Sequence, residues 1–268
     1  MLSKRESTRR STPPVKKVRP MNFKYAAIPD KPDARDHLAA PPSPGAVIAA
    51  QVDLREWFPP IRNQGQEGAC TMFAGTAILS WLYKRFKNQD YVFSPQFGYR
   101  AERIIEGSLD VDDGAQSRTM MAIMKDTGIC LETSDPYVDT GWTTPTTHKQ
   151  LSEAQLYRIG AYHRIVDLET LKSVLASGYV ASLAISVFES FESDAVAQNG
   201  MVPLPQPTEK NLGGHEVVAC GYSDTSKTLI VRNSWDVTWG DQGYFYLPYD
   251  YWPFVSDSWI AHLGPAWK

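Results

Sequence analysis

The sequence predicts an α+β fold with a helical first lobe, a second lobe of antiparallel, barrel-like strands, and a cleft where the two meet. Three observations carry this expectation. Between Val52 and Tyr137 apolar residues recur mostly at helical spacing; from Tyr157 onward they fall in short β-branched runs separated by turn residues; no internal repeat relates the halves. A chain of 268 residues that is 43% hydrophobic and 21% charged can fill a sizeable core.

Residues 1–50 read as a leader ahead of a folded domain spanning 51–268. Pro13-Pro14 and Pro41-Pro42-Ser43-Pro44-Gly45 break regular structure, and residues 1–20 hold seven Lys/Arg against Glu6 alone. The net charge of -3 therefore hides a basic tail on a body of about -9. A solvated tail is the plain reading; without interleaved aromatics, no nucleic-acid partner is expected. Ile28–Asp36 is denser, with prolines and charges of both signs, and predicts an extended strap over about 28–37, lying either on the surface or in the cleft.

Within the body, Phe73, Ala77, Ile78, Trp81, Leu82 and Phe86 form the stripe of a helix opening at Cys70 and ending near Phe86. Ser94-Pro95-Gln96 opens a second helix to about Glu106, with Ser94 as N-cap and Pro95 in the first turn. A third runs from about Gln116 to Asp126, stopped by Gly128. Strands follow at Tyr157–Val166, Val180–Val187, Glu216–Tyr222, Thr228–Asn233 and Gly243–Leu247, with a short helix near Leu168–Ser177.

No signal core, no run of about 18 apolar residues and only three cysteines (Cys70, Cys130, Cys220) point to a disulfide-free chain without a membrane span, with a cytoplasmic setting favoured. Cys70 follows the glycine-rich stretch Asn63–Ala69 and stands in the first turn of its helix. There the unpaired N–H groups and the helix dipole favour a thiolate. It is either a nucleophile or a buried cysteine acting as a small apolar residue. His215, after the turn Gly213-Gly214 and at the start of a strand, stands where a general base would. His37, His148, His163 and His262 have no such turn. Eighteen residues after His215, Asn233 can orient its ring if the two strands are neighbours, and Trp235 can cover that hydrogen bond.

Gln64–Cys70, Gly214-His215, and Asn233-Ser234-Trp235 with Trp239-Gly240 resemble, in order and spacing, the papain and cathepsin family of cysteine proteases. Val52-Asp53-Leu54-Arg55, Phe93-Ser94-Pro95-Gln96, Leu131–Tyr137 and Gly243-Tyr244 extend the likeness over about 52–247. The short leader, with Pro32-Asp33-Ala34-Arg35-Asp36, is similar to the extensions of bacterial members, nearest the xylellain-like branch. Glu67 stands where most relatives have a disulfide-forming cysteine, Thr71 where an aromatic residue follows the nucleophile, and Asp236 where relatives have glycine.

The resemblance implies a two-lobed cysteine protease needing no cofactor and no metal. Cys70 would be nucleophile, His215 base and then acid, Asn233 the orienting residue and Gln64 an oxyanion-hole donor. A Cys70–His215 ion pair would lower the thiol pKa far below its free value near 8.5. Substrate-binding candidates are Gly114, Gly214, Glu216 and Trp235; Glu216 either favours a basic residue two positions before the cut or is a solvated glutamate at a strand start. The strap would restrain the enzyme. An acyl or amide transferase, or an inactive binding module, are the competing functions.

Overall fold

The computed structural model describes residues 23–264 apart from 44 and 46, so the basic tail lies outside the described residues. The first lobe is built on α1 (Cys70–Lys87), α2 (Pro95–Ile105), α3 (Ser117–Asp126) and α4 (His148–Ala154). α1 ends one residue past its predicted limit, at Asn88 in the left-handed region. Ser94 accepts from Phe97 N at 3.0 Å and Pro95 opens α2, as its sequence predicts. α4 had no place in the sequence reading, although Thr147 and Gln150 form a reciprocal capping box there.

The strands are β1 (Ala27–Ile28), β2 (Gln51–Asp53), β3 (Ala115–Gln116), β4 (Ala161–Arg164), β5 (Ala181–Phe188), β6 (Asn211–Ser223), β7 (Thr228–Arg232), β8 (Tyr244–Pro248) and β9 (Val255–His262). Two more helices, α5 (Leu168–Ala176) and α6 (Asp194–Asn199), join strands of the second lobe. β4-β9-β5-β6-β7-β8 form one antiparallel sheet, with β2 added to β6. The sheet does not close into a barrel. Each end strand meets a loop instead of the other end: His37 and Ala39 pair with Arg164 of β4, and Gly200 and Val202 with Tyr246 of β8. Those segments cover the open edges.

One core fills the space between α1, α2, α3 and the sheet, around Ile78, Trp81, Phe97, Met120 and Trp259. A second lies on the other side of the sheet, around Leu183, Phe191, Val217, Val231 and Phe245. α1 and β6 are packed together at the boundary. Cys70 on the first and His215 on the second therefore come to one place.

The leader is ordered over the same boundary, further toward the N-terminus than the 28–37 predicted from sequence. β1 pairs in parallel with β3, and Ala26 forms a bridge with Gly214. Residues 30–37 are clamped on the flank. Asp30 accepts from Arg118 N (3.1 Å) and Trp259 Nε1 (3.0 Å), and its own N–H donates to Asp257 (3.0 Å). Arg118 and Arg164 both pair with Asp36, at 2.7 and 3.1 Å. Burial and the neighbouring Asp257 charge push the Asp30 carboxyl up to about 6.

Candidate active site

Cys70 is the first residue of α1 and is fully buried. Burial pushes its thiol up to about 12, against the opposing main-chain hydrogen bonding of Glu216 and Ala26. The low value expected from sequence belongs to a Cys70–His215 ion pair, and this is the covered thiol. Ala26 of the leader lies against the sulfur and excludes the water a thiolate needs, so the covered site favours the neutral thiol. Burial likewise lowers His215 to about 4.

His215 lies on β6, beside β7, whose next residue is Asn233. Its Nε2 stands 2.8 Å from Asn233 Oδ1. The same oxygen accepts from Ser234 N at 2.8 Å, which identifies it as the amide oxygen. Nε2 must therefore be the donor. In the neutral ring the lone pair is left on Nδ1, which has no hydrogen-bond partner among the described residues. The imidazole is thus held in the tautomer of a base. Trp235 stacks on it at 4.6 Å with 20° between planes, covering the pair as its position predicts.

Gln64 is fully buried. Its N–H donates to Ser234 O at 2.9 Å, and Ser234 Oγ donates to its Oε1 at 2.7 Å. With the oxygen so occupied, the amide nitrogen donates one hydrogen to Glu67 O at 3.1 Å and has a second to give. Ser234 is a positioning residue that the sequence motif contained but did not reveal as one. Asp236 has φ of 72°, a left-handed conformation that accounts for glycine at this place in relatives. Thr71 donates to the buried Glu102 at 2.8 Å, giving its departure from the aromatic pattern a partner.

The loop before Cys70 hangs on two distant carboxylates absent from the predicted set. Gln66 N and Glu67 N donate to Asp139 (3.1–3.3 Å), and Gly68 N to Asp112 (3.0 and 3.1 Å). Glu67 itself is buried. Burial, with the charges of Asp112 and Asp139, pushes its carboxyl up to about 8. All three cysteines are unpaired.

Of the substrate-binding candidates, Gly114 and Gly214 line the leader. Gly114 has φ of +77°, and a Cβ there would stand 1.7 Å from Ala26 O. Trp235 receives Phe23 in a stack at 4.0 Å and 8°, and Tyr25 meets the His215 ring edge-on at 6.3 Å. Glu216 is buried, accepts from Ser117 Oγ at 2.6 Å, and is pushed up to about 8 by burial. His163 and His262 lie 5.5 Å apart, and His37 6.2 Å from His163, at the β4 edge. His148 opens α4.

The sequence pattern of the papain family cysteine proteases matches residues 48–252. An uncharacterized peptidase C1-like protein of Acanthamoeba polyphaga mimivirus is 34% identical over 213 residues, 74% of this chain and 68% of its own. Cysteine proteinase 3 of Entamoeba histolytica is 29% identical over 76% of this chain and 65% of its own length. The chain thus spans about two thirds of these relatives. The crystal structure of xylellain, a cysteine protease from Xylella fastidiosa, superposes with a TM-score of 0.82 at 30% identity, covering 91% of this chain and 98% of that one.

Proposed function

The chain belongs to the papain family of cysteine peptidases, and from that premise we propose that it hydrolyses peptide bonds with Cys70 as nucleophile, His215 as proton carrier, Asn233 as orienting residue and Gln64 as oxyanion donor. The observation that carries this is the His215–Asn233 bond of 2.8 Å, which leaves Nδ1 as the free base. His215 takes the thiol proton, the thiolate attacks the peptide carbonyl, and the amine leaves with that proton. Water then cleaves the thioester by the reverse sequence. The Gln64 amide, with the Cys70 N–H at the open start of α1, would hold the oxyanion.

In the same reading residues 23–28 restrain the enzyme, because they occupy the groove between Gly114 and Gly214 over the thiol. Their release wets Cys70 and His215, and only then does the ion pair form. Glu216, once ionised, would favour a basic residue two positions before the cut. The xylellain likeness supports the bacterial pattern expected from the leader.

The test is hydrolysis of a mixed dipeptidyl fluorogenic panel by the full chain and by Cys70→Ala. Thiol-dependent turnover lost in Cys70→Ala is expected. An unreactive Cys70 together with no turnover would leave a binding scaffold in place of an enzyme.

A further inference from the structure

Resting on the protease reading, we infer that Asp112 forms a subsite for a basic side chain on the residue whose carbonyl Cys70 attacks. Asp112 lies just before Gly114. Its carboxylate holds the N–H of Gly68, two residues from the nucleophile, at 3.0 and 3.1 Å, and accepts the Tyr99 hydroxyl. Gly68 has no side chain to screen it: a Cβ there would stand 2.8 Å from Asp112 Oδ1 and 3.0 Å from the leader's Ala26 Cβ. On that side the leader's Lys24 meets the carboxylate.

The leader places a cation on it. Lys24 Nζ pairs with Asp112 Oδ2 at 2.8 Å and also donates to the main-chain oxygen of Asp112. Phe23 lies on Trp235, and Ala26 lies between Gly114 and Gly214 beside the Cys70 sulfur. Lys24 and Tyr25 are thus the leader residues between the Phe23 stack and the glycine-lined groove; Tyr25 turns to His215 and Glu192, and Lys24 turns to Asp112. A peptide whose carbonyl meets Cys70 and the Gln64 amide projects its side chain into this space. The Asp112 side chain is 11% exposed and that of Lys24 41%, so the ammonium approaches from the open side, as a substrate's would. A guanidinium or ammonium there gains a charge-assisted hydrogen bond that an uncharged side chain lacks.

The experiment compares two fluorogenic peptides identical except for arginine or citrulline at that residue, on the full chain, on Asp112→Asn, on Lys24→Gln and on the double variant. A charge-assisted bond predicts a preference for arginine of roughly 10- to 100-fold in kcat/KM. In Asp112→Asn, which keeps an acceptor for Gly68 N, the preference falls below about threefold, with the greater loss on the arginine peptide. Lys24→Gln raises turnover of both peptides in the wild-type background and not in Asp112→Asn. An equal loss on both peptides would reduce Asp112 to a prop for the Gly68 loop and overturn the inference, as would an unchanged preference. A chain that turns over neither peptide and whose Cys70 resists thiol-specific labelling would instead remove the protease reading beneath it.

Discussion

Removing the Phe23 side chain should activate the enzyme. The ring stacks on Trp235 at 4.0 Å and 8° and packs, partly buried, against the second core. Such an aromatic pair is worth about 0.5–1.5 kcal/mol beyond its burial. Truncating a large apolar side chain that is only partly buried adds about 1–2 kcal/mol, below the 1.5–3 of full burial. Phe23→Ala therefore weakens leader docking by about 2–3 kcal/mol, which at about 1.4 kcal/mol per factor of ten raises the open fraction roughly 30- to 100-fold while the open form is the minority. The assay is the initial rate of peptide hydrolysis by full-length wild type and variant, each normalised to Cys70 sites titrated with a thiol-reactive inhibitor. A variant no faster than wild type, with the same unfolding temperature, would refute restraint by this segment.

Three further outcomes follow from the same geometry. Gln64→Ala should lower kcat by about 10²–10³-fold with little change in KM, the usual loss for one oxyanion donor; a wild-type kcat would assign that role elsewhere. Ser234→Ala frees Gln64 Oε1 from its 2.7 Å donor, and the loss of one such bond, about 1 kcal/mol, predicts a kcat lower by about fivefold in steady-state kinetics, with the fold intact by circular dichroism. The Glu67 carboxyl is raised from 4.5 to about 8 in the folded chain. Its contribution to stability is fully present below pH 4.5 and is lost as pH rises through about 8. The melting temperature should therefore fall between pH 5 and 9 more steeply in wild type than in Glu67→Gln, and parallel curves would contradict the buried, protonated state.

Helices α1 to α3 were legible because their stripes, caps and stop signals are local. β4, β5, β7 and β8 were legible as short β-branched runs; β6 begins at Asn211, ahead of the predicted Glu216, so Gly213-Gly214 lie inside a strand and not in a turn. β9 was not: Val255-Ser256-Asp257-Ser258-Trp259-Ile260-Ala261-His262 mixes polar residues into a strand that lies between β4 and β5 and is buried from Asp257 onward. Its polar interior is tolerable because Asp257 meets Arg164 and Asp30 N, partners 93 and 227 residues away. Such pairs leave no local trace. The same holds at the site. Cys70, His215, Asn233 and Gln64 stood out through neighbouring glycines and motif spacing, whereas Asp112 and Asp139 act through backbone N–H groups 44 and 73 residues distant. The burial of the thiol beneath the leader likewise cannot be read from the motif.

The strip joining the lobes has a thermal consequence. Asn63 pairs with Trp235, Gln64 N bonds Ser234 O, and Asp236 N bonds Arg62 O at 3.3 Å. Gln64 and Asn233 are thereby neighbours on one stitched seam. The lobes cannot spread without taking Gln64 and Asn233 apart, so the groove between them is a slot of fixed width. On heating, activity and tertiary structure should be lost in a single superimposable transition, with no warm, folded, inactive stage between.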